Sequence, residues 1–192
     1  MMIATIHTRG VRCAATLALM LMVGVGLRAV AQEHALKTGD VMPTLRGEYL
    51  TGRAAALPED CKGKVALLVL GFTYPSRYSV EPWTKRFRAS YGGRDGVTFY
   101  EIPVVGGAAV MGKWFINSGM RKGTPVADRE HVITVYGGTA AWKHRVGYAA
   151  RDAAYLILLD ANGRVAWTYA GDVNDAAYQS LAATMEKALA GK

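Results

Sequence analysis

The sequence predicts one α/β domain in which helices flank a central, mostly parallel β-sheet that ends in an antiparallel hairpin. Three observations predict it: apolar runs of strand length, segments of helical spacing that alternate with them, and an Asn-Gly turn near the C-terminus. A chain of 192 residues fits a single hydrophobic core. The composition, 51% apolar and 20% charged, excludes a disordered chain.

The first core strand is predicted at Val65 to Gly71, an unbroken apolar run that is typical of a strand covered on both faces. A helix is predicted over about Ser79 to Ser90, because Val80, Trp83 and Phe87 recur at helical spacing. These two elements form the first strand-helix unit of the domain.

The second unit begins with a predicted strand from Val97 to Val104. Residues Ala108 to Met120 can form the following helix, with Val110, Trp114 and Phe115 expected to point inward. The third unit combines a strand from His131 to Tyr136 with a short helix from Ala140 to Tyr148.

The C-terminal part is predicted to be a hairpin followed by a helix. Ala154 to Leu159 and Val165 to Tyr169 flank Asn162-Gly163, which favours the positive φ of a tight turn. The last helix is predicted from about Asp175 to Leu189. Strands that alternate with helices require right-handed crossovers, so the order predicts an α/β sandwich.

Residues 1–31 are interpreted as a secretory signal peptide. Arg9 and Arg12 precede an uncharged run of 15 residues, Cys13 to Leu27, and Ala29-Val30-Ala31 supplies a small-x-small cleavage site. The run is shorter than the ~20 residues that a membrane-spanning helix needs. We therefore expect an exported protein, periplasmic or secreted, with an uncleaved anchor as the alternative and no integral membrane span after cleavage.

The domain itself is predicted to occupy residues 32–192. Loss of the three arginines of the signal would lower the formal net charge from +8 to +5. The remaining basic residues are scattered, without a run of like charges, which argues against a nucleic-acid partner. Because Cys13 would leave with the signal, Cys61 would be alone and unable to form an internal disulfide.

Several segments together resemble a known family. They are the lead-in Gly39 to Leu45, the stretch Pro58 to Val65, and the strand-turn-strand Leu158 to Val165. Across about Gly39 to Leu189 the chain resembles the thioredoxin-like superfamily of the redoxin type, which includes thiol-disulfide oxidoreductases and peroxiredoxin relatives. The resemblance implies a thioredoxin-like sandwich.

The same resemblance implies that dithiol chemistry has been lost. The family places a Cys-x-x-Cys pair after the first core strand, at a helix N-terminus that stabilises a thiolate. Here Pro75 and Tyr78 align with the two cysteines, and the family's substrate-facing proline is missing near Ala154. The strand Val65 to Gly71 also lacks the buried acidic residue that often accepts a proton from such thiols. No catalytic residue is therefore assigned.

A narrower resemblance involves Gly71-Phe72, Pro82-Trp83, Phe87, Tyr155 to Asp160 and Gly163 to Trp167. These residues are similar to cysteine-less redoxin relatives of a mitochondrial assembly factor for the membrane sector of ATP synthase. This resemblance implies assembly or chaperone-like work with a protein partner, a membrane complex being one candidate.

The candidate binding residues follow the first core strand, where open α/β sheets bind ligands. Tyr74, Arg77, Tyr78, Glu81 and Trp83 are predicted to form a recognition patch, since Tyr, Trp and Arg provide large contact areas. The alternative is that Tyr74 and Trp83 fill the space under the start of a helix.

The cysteine and the histidines are the other candidates for a chemical role. Cys61 is a candidate single-cysteine peroxidase or oxidoreductase nucleophile, or else a small buried side chain in a turn. The histidines His34, His131 and His144 lack metal-ligand spacing, so neither a metal nor another cofactor is predicted. The leading hypothesis is a protein that binds a partner or an unfolded segment, with Cys61 chemistry or small-ligand binding as alternatives.

Overall fold

A computed structural model describes residues 34–191 and contains one seven-stranded sheet. The signal peptide predicted at residues 1–31 lies outside the described residues. Strands are β1 Leu45–Tyr49, β2 Ala54–Leu57, β3 Val65–Gly71, β4 Val97–Val105, β5 Ile133–Tyr136, β6 Tyr155–Leu159 and β7 Val165–Ala170. Helices are α1 Arg77–Tyr91, α2 Lys113–Gly123, α3 Thr139–Arg145 and α4 Asp175–Ala190, with short 3-10 helices at Glu59–Cys61, Gly107–Gly112 and Val126–His131.

The strands lie in the order β2-β1-β5-β4-β3-β6-β7. β3, β4 and β5 form a parallel core, β6 pairs antiparallel with β3, and β7 completes the C-terminal hairpin. These features confirm the predicted α/β architecture. Strands β1 and β2 form a second antiparallel hairpin at the other edge, which the sequence analysis did not identify. Their sequences, Leu-Arg-Gly-Glu-Tyr and Ala-Ala-Ala-Leu, are too short and mixed to show a clear period.

Both faces of the sheet are covered, as the unbroken apolar run of β3 predicts. All seven residues of β3 are buried. Val65, Leu67 and Val69 pack in the cluster beneath α1 and α4, whereas Leu68 and Leu70 belong to the cluster on the opposite face. The carboxyl end of β3 therefore emerges from a fully packed layer and leads through the turn of residues 72–76 into α1.

The expected orientation of the segment after β4 is wrong. Val110, Trp114 and Phe115 were expected inside, but all three side chains are exposed. The residue that α2 buries is Asn117, which donates a hydrogen bond to Glu48 of β1. Helical spacing identifies the residues that share a face, and a polar contact from another element decides which face lies inward.

Candidate functional site

The candidate site is built on the turn between β3 and α1, residues 72–76. Gly71 ends β3, and a Cβ added at this position would collide with Ser76 Oγ. Ser76 is buried, and its hydroxyl donates to the carbonyl of Thr73 at 2.6 Å. Thr73 Oγ1 in turn donates to Asp152 Oδ1 at 2.7 Å, so the turn is tied to the segment before β6.

Tyr74, Arg77 and Tyr78 form a cluster on this turn, which we call the Tyr-Arg-Tyr cluster. The Arg77 guanidinium carbon lies 4.2 Å from the Tyr74 ring centroid and 4.6 Å from that of Tyr78. Arg77 also donates hydrogen bonds to both phenolic oxygens, at 2.7 Å for Tyr78. The Tyr78 hydrogen bond is the main factor that raises the pKa of Arg77, so the cluster carries a fixed positive charge. Both tyrosine rings are largely exposed.

A crevice of about 490 Å³ opens beside the cluster. Its volume falls within the range of about 300–1,000 Å³ that is usual for ligand sites. The crevice is lined by Pro75, Tyr78, Ser79, Pro82, Asp152, Asp172 and Val173.

Hydrogen bonds to α1 fix the far wall of this crevice. Ser79 Oγ accepts the amide N–H of Ala154 at 3.0 Å and lies 3.4 Å from the carbonyl oxygen of Gly171, to which it donates. Trp83 Nε1 donates to the same carbonyl at 2.9 Å. The segments before β6 and after β7 are thereby held against the first two turns of α1.

The structure brings three of the five predicted binding residues together. Tyr74, Arg77 and Tyr78 form the exposed cluster, and Glu81 is exposed one turn further along α1. Trp83 does not reach the surface. It is fully buried against the rings of β7 and α4, which is the alternative that the sequence left open for it, whereas Tyr74 does not fill space under the helix.

Sequence reasoning missed Ser79, Asp152 and Asp172. They line the crevice, but they stand far apart in the chain and belong to no recognisable motif. Asp152 and Asp172 flank the hairpin β6-β7, so the predicted pairing of that hairpin was the signal that could have placed them near each other.

Cys61 lies at the opposite end of β3 from this crevice. The seven residues of β3 span about 23 Å at the usual rise per strand residue. Cys61 is buried, its Sγ is 3.3 Å from the Pro58 carbonyl oxygen, and burial raises the pKa of the thiol to about 11. The described residues contain only this cysteine, so they hold no disulfide-capable pair.

Cys61 is expected to resist alkylation in the native protein. A thiol with a pKa near 11 has very little thiolate at neutral pH, and burial blocks access to what forms. Iodoacetamide labelling at pH 7 can be followed by mass spectrometry on the peptide that contains Cys61. The labelling rate should be lower in buffer than in denaturant by a factor on the order of 100 or more. Labelling at similar rates in both conditions would restore Cys61 as a candidate nucleophile.

The described residues offer few signs of other chemistry. Among residues 34–191, no three His, Cys, Asp or Glu side chains converge as metal ligands would. His131 instead stacks on Phe99, with ring centroids 4.5 Å apart. Within the same residues, no helix combines the length and the apolar character that crossing a bilayer requires.

Comparison with known proteins gives matches among solved structures. No protein-family model and no curated protein matches the chain. A Chlorobium tepidum protein assigned as thiol:disulfide interchange protein DsbE superimposes with a TM-score of 0.56 at 21% identity, covering 81% of this chain and 99% of that one. The chain has the thioredoxin-like fold.

Two further solved structures share this thioredoxin-like fold. A protein from Bacteroides thetaiotaomicron assigned as a protein disulfide isomerase gives a TM-score of 0.57 at 15% identity, covering 80% of this chain and 91% of that one. BsSco, a member of the Sco family of cytochrome c oxidase assembly proteins, gives 0.56 at 17% identity and covers 82% of this chain and 98% of that one.

Proposed function

We propose that this thioredoxin-like domain acts by binding a segment of a protein partner in the crevice at the start of α1. The observation that carries the proposal is the Tyr-Arg-Tyr cluster, whose two exposed rings enclose Arg77 beside the crevice. By the alignment to the redoxin family, Pro75 and Tyr78 of this region stand where dithiol relatives have cysteines. At this position the chain has a surface that can contact a partner, but it lacks the thiols that disulfide exchange requires.

The chemistry of the crevice suits a polypeptide. Tyrosine and arginine are enriched among residues that dominate binding energy. Pro75, Pro82 and Val173 provide apolar contacts, while Asp152 and Asp172 provide acceptors. Pro82 has no N–H to donate to the Tyr78 carbonyl, so that carbonyl does not receive the usual helical hydrogen bond from residue 82 and is suited to accept one from a ligand.

The geometry also limits the entropy lost on binding. The turn is fixed by hydrogen bonds of Ser76 and Thr73, and the guanidinium of Arg77 already holds both tyrosine rings. A site that is ordered before binding avoids part of the cost of immobilising side chains. This supports recognition of a specific partner.

The proposed partner is an envelope protein, with a membrane complex under assembly as the leading candidate. Export is predicted from residues 1–31. The resemblance to the ATP synthase assembly factor family supports an assembly role, and BsSco, which has the same fold, belongs to a family of cytochrome c oxidase assembly proteins. The proposal does not involve a cofactor, a metal or a nucleic acid.

In-cell photo-cross-linking tests the proposal. A photoreactive amino acid replaces Asp172, an exposed crevice residue outside the Tyr-Arg-Tyr cluster, in one variant and Asn162 in a matched control variant. Asn162 is exposed in the β6-β7 turn, and β6 runs antiparallel to β3, so it lies at the opposite end of the sheet from the crevice. A defined protein adduct from position 172 that position 162 does not give is expected. Absence of a position-specific adduct would reject the proposal.

A further inference from the structure

The outer surface of α2 is apolar. Val110 and Met111 of the preceding 3-10 helix and Trp114 and Phe115 of α2 are all exposed. Met111 is 93% exposed, Trp114 78% and Phe115 76%. Positions 110, 111, 114 and 115 recur at helical spacing, so they form one surface, which we call the α2 apolar face.

A second surface of α2, adjacent to the apolar one, is polar and is held against β1. Lys113 Nζ lies 2.6 Å from Glu48 Oε2, and Asn117 Nδ2 donates to Glu48 Oε1 at 3.1 Å. Arg121 Nε donates to the carbonyl of Leu50 at 2.6 Å. Lys113, Asn117 and Arg121 are spaced four residues apart, so three successive turns of α2 are fixed by polar contacts.

These contacts determine the orientation of the apolar face. Rotating α2 to bury Trp114 would separate Glu48 from Lys113 and Asn117, which would leave a half-buried carboxylate without those partners. The aromatic side chains therefore point outward because the fold has committed the other face of the helix to Glu48.

The charge around this face is positive. Residues 106–127 contain Lys113, Arg121 and Lys122 and no Asp or Glu. Glu48 offsets one of these charges, and two positive charges remain. Tryptophan and phenylalanine on one face of a helix that also carries lysine and arginine are characteristic of helices that lie in the interface of an anionic membrane.

We propose that the α2 apolar face docks this domain onto the surface of an anionic phospholipid bilayer. Trp114 and Phe115 enter the headgroup region, and Lys122 contacts lipid phosphates. A helix face is convex and does not form a pocket. A bilayer binds such a face through insertion of its apolar side chains and attraction of its positive charge, so no pocket is required. The N-terminal end of α2 follows the carboxyl end of β4, and the crevice lies at the carboxyl end of the neighbouring parallel strand β3, so both features lie at the same end of the parallel core.

Trp114 fluorescence tests this inference in the full chain. Of the four tryptophans, Trp83 and Trp142 are buried and Trp167 is half-buried, so Trp114 is the one that should respond most to lipid. Phosphatidylcholine vesicles that contain phosphatidylglycerol should shift its emission to the blue, and brominated lipid should quench it. Trp114→Phe, which keeps an apolar ring, should lose both signals.

Two variants measure the contributions of apolar insertion and charge. Replacing Trp114 and Phe115 together by serine should weaken α2-dependent binding at least tenfold, about the effect expected from losing two inserted rings. Lys122→Gln should weaken binding about fivefold, and the effect should fall with added salt, as expected for one charge near an anionic surface. Pure phosphatidylcholine vesicles should bind more weakly than anionic ones.

The position-specific signal separates α2 docking from attachment through the apolar run at residues 13–27. The inference would be overturned if acrylamide quenched Trp114 fluorescence equally with and without anionic vesicles, even if the chain sedimented with the vesicles. The inference would also be overturned if Trp114 became more buried in lipid-free protein as the protein concentration increased. That result would indicate that the α2 apolar face binds a second copy of the chain.

Discussion

Replacing Trp83 by alanine is expected to destabilise the domain by about 3–5 kcal/mol, the usual cost of removing a large buried aromatic side chain. Trp83 is fully buried in the cluster between α1, α4 and the sheet. Its ring lies 5.4 Å from that of Tyr169 and 6.2 Å from that of Tyr178, measured between centroids. The substitution would also remove the hydrogen bond to the Gly171 carbonyl at the wall of the crevice.

Urea denaturation followed by circular dichroism measures this loss. Trp83→Phe keeps most of the ring and removes the N–H donor, so it should cost less, about 1–3 kcal/mol, and it remains informative if the alanine variant does not fold. Trp114→Ala is the matched control, because its exposed ring should change the free energy of unfolding by no more than about 0.5 kcal/mol. Equal effects of the two alanine variants would contradict the assignment of Trp83 to the core.

Replacing Tyr78 by alanine is expected to weaken binding of the proposed partner by about 30-fold, equivalent to the ~2 kcal/mol of a dominant interface residue. Tyr78 lines the crevice and holds one side of Arg77. Because Tyr74 holds the other side, the two tyrosines should not act independently. The loss of binding free energy in the double variant should therefore differ from the sum of the losses in the two single variants, which a double-mutant cycle detects.

Affinity for the protein captured by cross-linking supplies the measurement, with unfolding free energy measured in parallel. Tyr78 is exposed, so Tyr78→Ala should leave the unfolding free energy within about 0.5 kcal/mol of wild type. Asn162→Ala, at the far end of the sheet, should leave the affinity unchanged. A Tyr78→Ala variant that folds and binds like wild type would remove the Tyr-Arg-Tyr cluster from the site.

The sequence alone was sufficient for the architecture of the parallel core and the C-terminal hairpin. The run Val65 to Gly71 is apolar at every position because both faces of β3 are covered, and that pattern can be read without coordinates. Asn162-Gly163 marked the hairpin because its turn needs a positive φ, which Gly163 adopts. Both signals depend only on neighbours in the chain.

The tertiary structure alone decided which aromatic residues face the solvent. Trp83 and Trp114 both lie at helical spacing after a strand. The sequence placed Trp83 in a binding patch, with filling of the space under the helix as the alternative, and placed Trp114 in the core. The structure buries Trp83 beneath α4 and β7 and leaves Trp114 exposed, because Glu48 holds the polar face of α2 inward. Helical periodicity defines a face, but its partner comes from residues distant in the chain, and burial depends on that partner.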